Sequence, residues 1–141
     1  MRLMTVDPGI NIGICIDGIC FSEKIQSLSH LYDYIIRMSS NCDKCYIEDY
    51  AYSKLGKSSS MTAQAEMRGV IKLALENNNI PYSMININSW RAFNCWKFKK
   101  GKKNDNINYI DSARRIYGKE FLTTDEVDAY LMWRFAKHEN M

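Results

Sequence analysis

The sequence predicts an α/β fold, a mixed sheet with helices on its faces. Two observations carry this. Three short runs rich in Ile, Val and Thr open the chain, separated by the turn signals Pro8-Gly9 and Asp17-Gly18, and together they read as an antiparallel meander. A stretch of helical period then precedes a fourth apolar run, and a crossover of that kind makes the fourth strand parallel to the first.

Taken in order, residues 2–7, 11–16 and 19–25 are the three strands. Pro8 fixes φ and Gly9 permits a positive one, so the first strand stops at Asp7. Leu28, Leu31, Ile35 and Met38 recur at the helical period over 27–38, with Ser27 or Ser29 as cap. The fourth strand spans 44–48. Residues 53–60 form a small, polar, basic loop, and 61–76 a helix with Ala65, Val70 and Leu73 on one face. Core packing and a dimer interface both fit that face. Pro81 ends the helix region, 82–88 alternates as a strand, and Ser89 caps a short helix starting at Trp90-Arg91. Residues 106–117 are helical, with Gly118 as the stop. Thr124 caps the last helix, whose dipole Asp125, Glu126 and Asp128 complement. These elements follow without repeats or linkers, so residues 1–141 are expected to form one domain.

Composition narrows the function. The 46% hydrophobic and 12% aromatic content is that of a globular chain. No run of about 18 apolar residues suggests a membrane span, and Asp7-Pro8 interrupts any signal-peptide core. Five cysteines without framework spacing suggest free thiols in a reducing intracellular compartment. Cys42 and Cys45 have the spacing of half a zinc site, but no second Cys/His pair completes it. His30 and His138 lie in helical stretches and read as structural or exposed.

Net charge is +3, which decides little, but its distribution is uneven. Lys97, Lys99, Lys100, Lys102 and Lys103 crowd one segment, with aromatics just before it. Such a segment is either a solvated loop or a seat for a phosphate backbone. Trp90, Phe93, Trp96 and Phe98 fit a core cluster better than a base-stacking one. Acids gather at element ends: Asp7 after the first strand, Glu48 after the fourth, and Asp125, Glu126 and Asp128 in the first turn of the last helix. Asp7 alone reads equally as a turn cap. Several carboxylates held together repel one another, and hard divalent cations with oxygen ligands are the usual reason to gather them.

Asp7-Pro-Gly…Gly13, Tyr-Ile-Glu48, Met67-Arg68-Gly69-Val70, Trp90-Arg91…Gly101-Lys102-Lys103 and Asp125-Glu126-Val-Asp128-Ala129 occur in that order. This pattern resembles the RuvC-type Holliday junction resolvases of the ribonuclease H-like superfamily, small phage-encoded members above all. The resemblance spans nearly the whole chain. It implies a five-stranded mixed sheet with helices on both faces, a homodimer, and a metal-dependent endonuclease that resolves four-way DNA junctions by symmetric phosphodiester hydrolysis. It implies a metal-binding tetrad at Asp7, Glu48, Asp125 and Asp128, holding two Mg²⁺ ions for which Mn²⁺ can substitute. Asp7 would bridge the ions, Glu48 complete one site, and Asp125 and Asp128 support the other. Arg91 and Lys102 or Lys103 would hold the scissile phosphate, and Lys97, Lys99, Lys100, Lys54 and Lys57 would contact DNA. Bacterial members place a junction-opening aromatic three residues after the tetrad glutamate. Here that position is Ala51, flanked by Tyr50 and Tyr52, either of which could serve. On a helix Glu126 turns away from Asp125, and Asp49 points to the sheet face opposite Glu48, so both read as exposed capping or surface acids. The alternatives are a ribonuclease H-like nuclease acting on flaps, forks or other branched nucleic acid, and a junction-binding protein without catalysis.

Overall fold

The computed structural model describes residues 1–49 and 58–141, and in the second stretch side chains from residue 61 onward. Its elements are β1 (Leu3–Asp7), β2 (Asn11–Ile16), β3 (Ile19–Lys24), α1 (Leu28–Ser39), β4 (Lys44–Glu48), α2 (Ser58–Asn77), β5 (Tyr82–Ile85), α3 (Ile87–Phe93), α4 (Lys103–Tyr117) and α5 (Thr124–Glu139). The sheet order is β3-β2-β1-β4-β5. β1 pairs antiparallel with β2 and parallel with β4, β2 antiparallel with β3, and β4 parallel with β5. The expected meander and crossover are both present.

Each of the five expected helices is present among the described residues, and local capping explains the shifted boundaries. The expected strand over 82–88 stops at Ile85, because Asn86 rather than Ser89 caps α3: its Oδ1 accepts from the Asn88 N–H at 2.7 Å. Asn is among the strongest N-caps. Thr123, not Thr124, caps α5, its Oγ1 accepting from the Glu126 N–H at 3.1 Å. α4 begins within the lysine cluster, at Lys103 rather than 106, and Gly118 closes it with φ +64°. α2 starts at Ser58, inside the stretch expected as loop.

Strand alternation divides the sheet into two faces. Met4, Val6, Ile12, Ile14, Cys45 and Ile47 point to one face and pack against Leu31 and Ile35 of α1 and Met67, Ile71 and Leu75 of α2. The inward face of α2 is therefore not the expected one: Ala65 is exposed and Leu73 is 52% exposed, while Met67, Ile71, Ala74 and Leu75 are buried. Leu3, Cys15 and Tyr46 point the other way, toward Trp90 of α3, Tyr109 of α4 and Val127, Ala129 and Leu131 of α5. Thr5 Oγ1 donates to the Ala129 carbonyl at 2.6 Å and ties β1 to α5. All five cysteines are free, and no helix among the described residues is long and apolar enough to cross a membrane.

Candidate active site

The register pairs Val6 with Ile47, so Asp7 and Glu48 follow side by side at the ends of parallel neighbours. Alternation turns both toward α5. Asp7 also pairs with Gly13 of β2. A Cβ on Gly13 would lie 2.2 Å from the Asp125 carbonyl oxygen, so only glycine lets the first turn of α5 rest on the sheet there. Asp125 and Asp128, three apart on α5, share one helix face. The structure thus brings Asp7, Glu48, Asp125 and Asp128 to one end of one sheet face.

That convergence is electrostatically costly. Asp7 is 7% exposed. Burial raises its pKa well above the carboxylate range, and Glu48, Asp128 and Asp125 push it the same way. Glu48 is raised to about 7, by burial first and then by Asp128. Burial raises Asp125 too, with Asp128 adding to it and Lys100 opposing. An all-oxygen donor set short of positive charge suits Mg²⁺ or Mn²⁺. Among the described residues, however, no three acidic, His or Cys side chains stand close enough to form a finished cation cage.

Protein donors explain how the acids are held. Trp90 Nε1 donates to Glu48 Oε2 at 2.9 Å, and Arg68 Nε to the Glu48 main-chain carbonyl at 2.9 Å. Tyr109 OH donates to Asp128 Oδ1. Lys100 Nζ lies 2.5 Å from Asp128 Oδ2. Burial acts to lower the Lys100 pKa, but Asp128, Asp7 and Asp125 outweigh it and hold the ammonium charged. Trp90, Arg68 and Tyr109 join the candidate site without any signal in the sequence that places them there. Trp90 reads as a core aromatic, which it also is at 0% exposed, and Tyr109 of α4 is 1% exposed. Their polar atoms point at acids that only the fold brings near.

Among the other candidates, Arg91 donates through Nη2 to the Phe98 carbonyl, and its guanidinium carbon stands 5.6 Å from the Trp90 ring centroid, bracing the segment after α3. Lys97, Lys99, Lys102 and Lys103 are exposed, Lys102 and Lys103 at the start of α4. Tyr50, Ala51, Tyr52, Lys54 and Lys57 lie outside the described residues. Asp49 is exposed, as expected. Glu126 is not: it is 4% exposed and accepts from Ser22 Oγ at 2.5 Å and from the Leu122 N–H. It does turn from Asp125, but toward β3 rather than solvent. His30 is structural, bonded to Glu23 and the Gln26 N–H, and His138 is exposed. Cys42 and Cys45 are buried. Trp90 and Trp96 are core, whereas Phe93 is 37% exposed.

No family model and no curated protein sequence matches the chain. Solved structures do. RuvC of Thermus thermophilus aligns with a TM-score of 0.69 at 12% identity, over 99% of this chain and 97% of that one. T. thermophilus RuvC in complex with Holliday junction substrate aligns with a TM-score of 0.71 at 13% identity, over 99% and 96%. With the same mixed five-stranded sheet and flanking helices, this chain has the RuvC-type, ribonuclease H-like fold.

Proposed function

We propose that this chain is a structure-selective DNA endonuclease that resolves four-way junctions by symmetric, metal-dependent phosphodiester hydrolysis, acting as a homodimer. The observation that carries the reading is the convergence of Asp7, Glu48, Asp125 and Asp128 on one buried face of a RuvC-type fold. Two divalent cations, when bound, lower the pKa of an attacking water and stabilise the entering and leaving oxygens. Asp7, beside Glu48 on the neighbouring strand and facing the first turn of α5, would contribute to both cation positions. Glu48 would complete one position and Asp125 with Asp128 the other. Trp90 and Tyr109 would fix which carboxylate oxygens face the cations, and Lys100 would offset charge at the acids.

The basic segment supplies the substrate side. Lys102 and Lys103 sit at the positive end of the α4 dipole, where cations are locally unfavourable. Two lysines there, with Lys97 and Lys99 exposed nearby in sequence, suit a polyanion such as a DNA backbone. A homodimer would set two such sites on strands of opposite polarity, as paired nicks require.

The test is cleavage of a synthetic mobile four-way junction, a flap and a linear duplex with Mg²⁺ or Mn²⁺, by wild type and Asp7→Asn. Symmetric nicks confined to the junction, lost in Asp7→Asn while junction binding persists, are expected. Equal cutting of flap or duplex would make this a broader ribonuclease H-like nuclease. Tight junction binding without cleavage by the wild type would leave a binding protein and overturn the enzyme.

A further inference from the structure

We propose that Lys100 and Tyr109 rank the two cation positions, so that the Asp7–Glu48 side fills first and the Asp128 side fills only when Lys100 Nζ withdraws. This rests on the metal-dependent reading above. The asymmetry is in the donors. Glu48 gives one oxygen, Oε2, to Trp90. Asp128 gives both, Oδ1 to Tyr109 and Oδ2 to Lys100. Lys100 already serves as the counter-charge of that half of the site, with its Nζ 2.5 Å from Asp128 Oδ2. A cation beside Asp128 would face the ammonium at short range, and like charges in a partly buried site repel strongly. One of the two must leave.

Lys100 is the member that can move. It lies in the irregular stretch between α3 and α4, and its side chain is 40% exposed. It is a point charge on a flexible four-carbon stem. Tyr109 is 1% exposed within α4 and cannot follow without opening the core. Its hydrogen bond keeps Asp128 in place while Lys100 is exchanged for a cation.

The experiment titrates Mn²⁺ alone into the DNA-free full chain, read by calorimetry and by thermal shift. Wild type is expected to take up Mn²⁺ in two steps, the second at least about tenfold weaker. Lys100→Met should tighten the second step by about tenfold and leave the first nearly unchanged. Lys100→Arg, whose fork can grip a carboxylate through two N–H groups, should weaken the second step. Two equal steps in wild type, or steps that Lys100→Met leaves where they are, would overturn the ranking alone. If Lys100→Met does not fold in chelator, an unchanged second step in Lys100→Arg does so. No Mn²⁺ uptake by wild type would remove the metal reading and this inference with it.

Discussion

Toward α1 and α2, the central strands present Met4, Val6, Ile14 and Ile47, all 0% exposed and all apolar. Toward α5, the next residues along the same strands are Thr5, Asp7, Gly13 and Glu48. The first face gains its free energy from burial alone, at roughly 25 cal/mol per Å² of apolar surface. The second buries carboxylates against one another and leans on Trp90, Tyr109 and Lys100 to hold them. Such a face costs stability while its acids are charged and no cation is bound. One face holds the chain folded, while the other spends part of that stability on holding carboxylates together.

Substitutions can break this contrast. The largest effect belongs to the acids: Asp128→Asn should lower junction cleavage by about 10³-fold, about 4 kcal/mol of barrier, with folding intact by circular dichroism. A residual rate within tenfold of wild type would remove Asp128 from the chemistry. On the opposite face, Leu31→Ala empties a fully buried site on α1 and should cost about 3 kcal/mol in urea unfolding. Because Leu31 packs in the apolar cluster on the face away from α5, the Mn²⁺-induced gain in stability should survive it.

The pH response sharpens the same point. Glu48 rises from 4.5 to about 7 on folding, so its proton favours the folded state. Its contribution is full below about pH 4.5 and is lost as pH rises through about 7, a span of about 3 kcal/mol for a group this buried. Urea midpoints in chelator should therefore fall between pH 5 and pH 8, and Glu48→Gln should flatten that fall. Gly13→Ala drives a Cβ into the Asp125 backbone and should cost about 1–3 kcal/mol. It should weaken Mn²⁺ binding as well, because the turn that must shift carries Asp125. Mn²⁺ binding unchanged in that variant would separate the packing from the site. The smallest effect is that of Trp90→Phe, which removes one donor to Glu48 and should cost about 1 kcal/mol.

Most of the fold was legible because its signals are local. The β-branched runs and the turns at Pro8-Gly9 and Asp17-Gly18 set the meander, and the periodic stretch before residue 44 set the parallel crossover. The missed features depend on neighbours distant in sequence. Seven residues from Lys97 to Lys103 carry five equivalent charges. Which of them meets the acids follows from how the segment is braced by Arg91 on the Phe98 carbonyl, and the structure places Lys100 there. The helical wheel turned Glu126 away from Asp125 correctly, but could not know that Ser22 of β3 waits on that side. An indole or phenol in a predicted core gives no sign that its polar atom will meet a carboxylate.

The most direct test of a cation-completed face is thermal unfolding at pH 8, in chelator and in Mg²⁺, for wild type and Asp7→Asn. Removing one buried charge should make Asp7→Asn the more stable protein in chelator, and Mg²⁺ should raise the wild-type midpoint more than that of the variant. A wild type that gains nothing from Mg²⁺, together with an Asp7→Asn chain no more stable than wild type in chelator, would contradict the account.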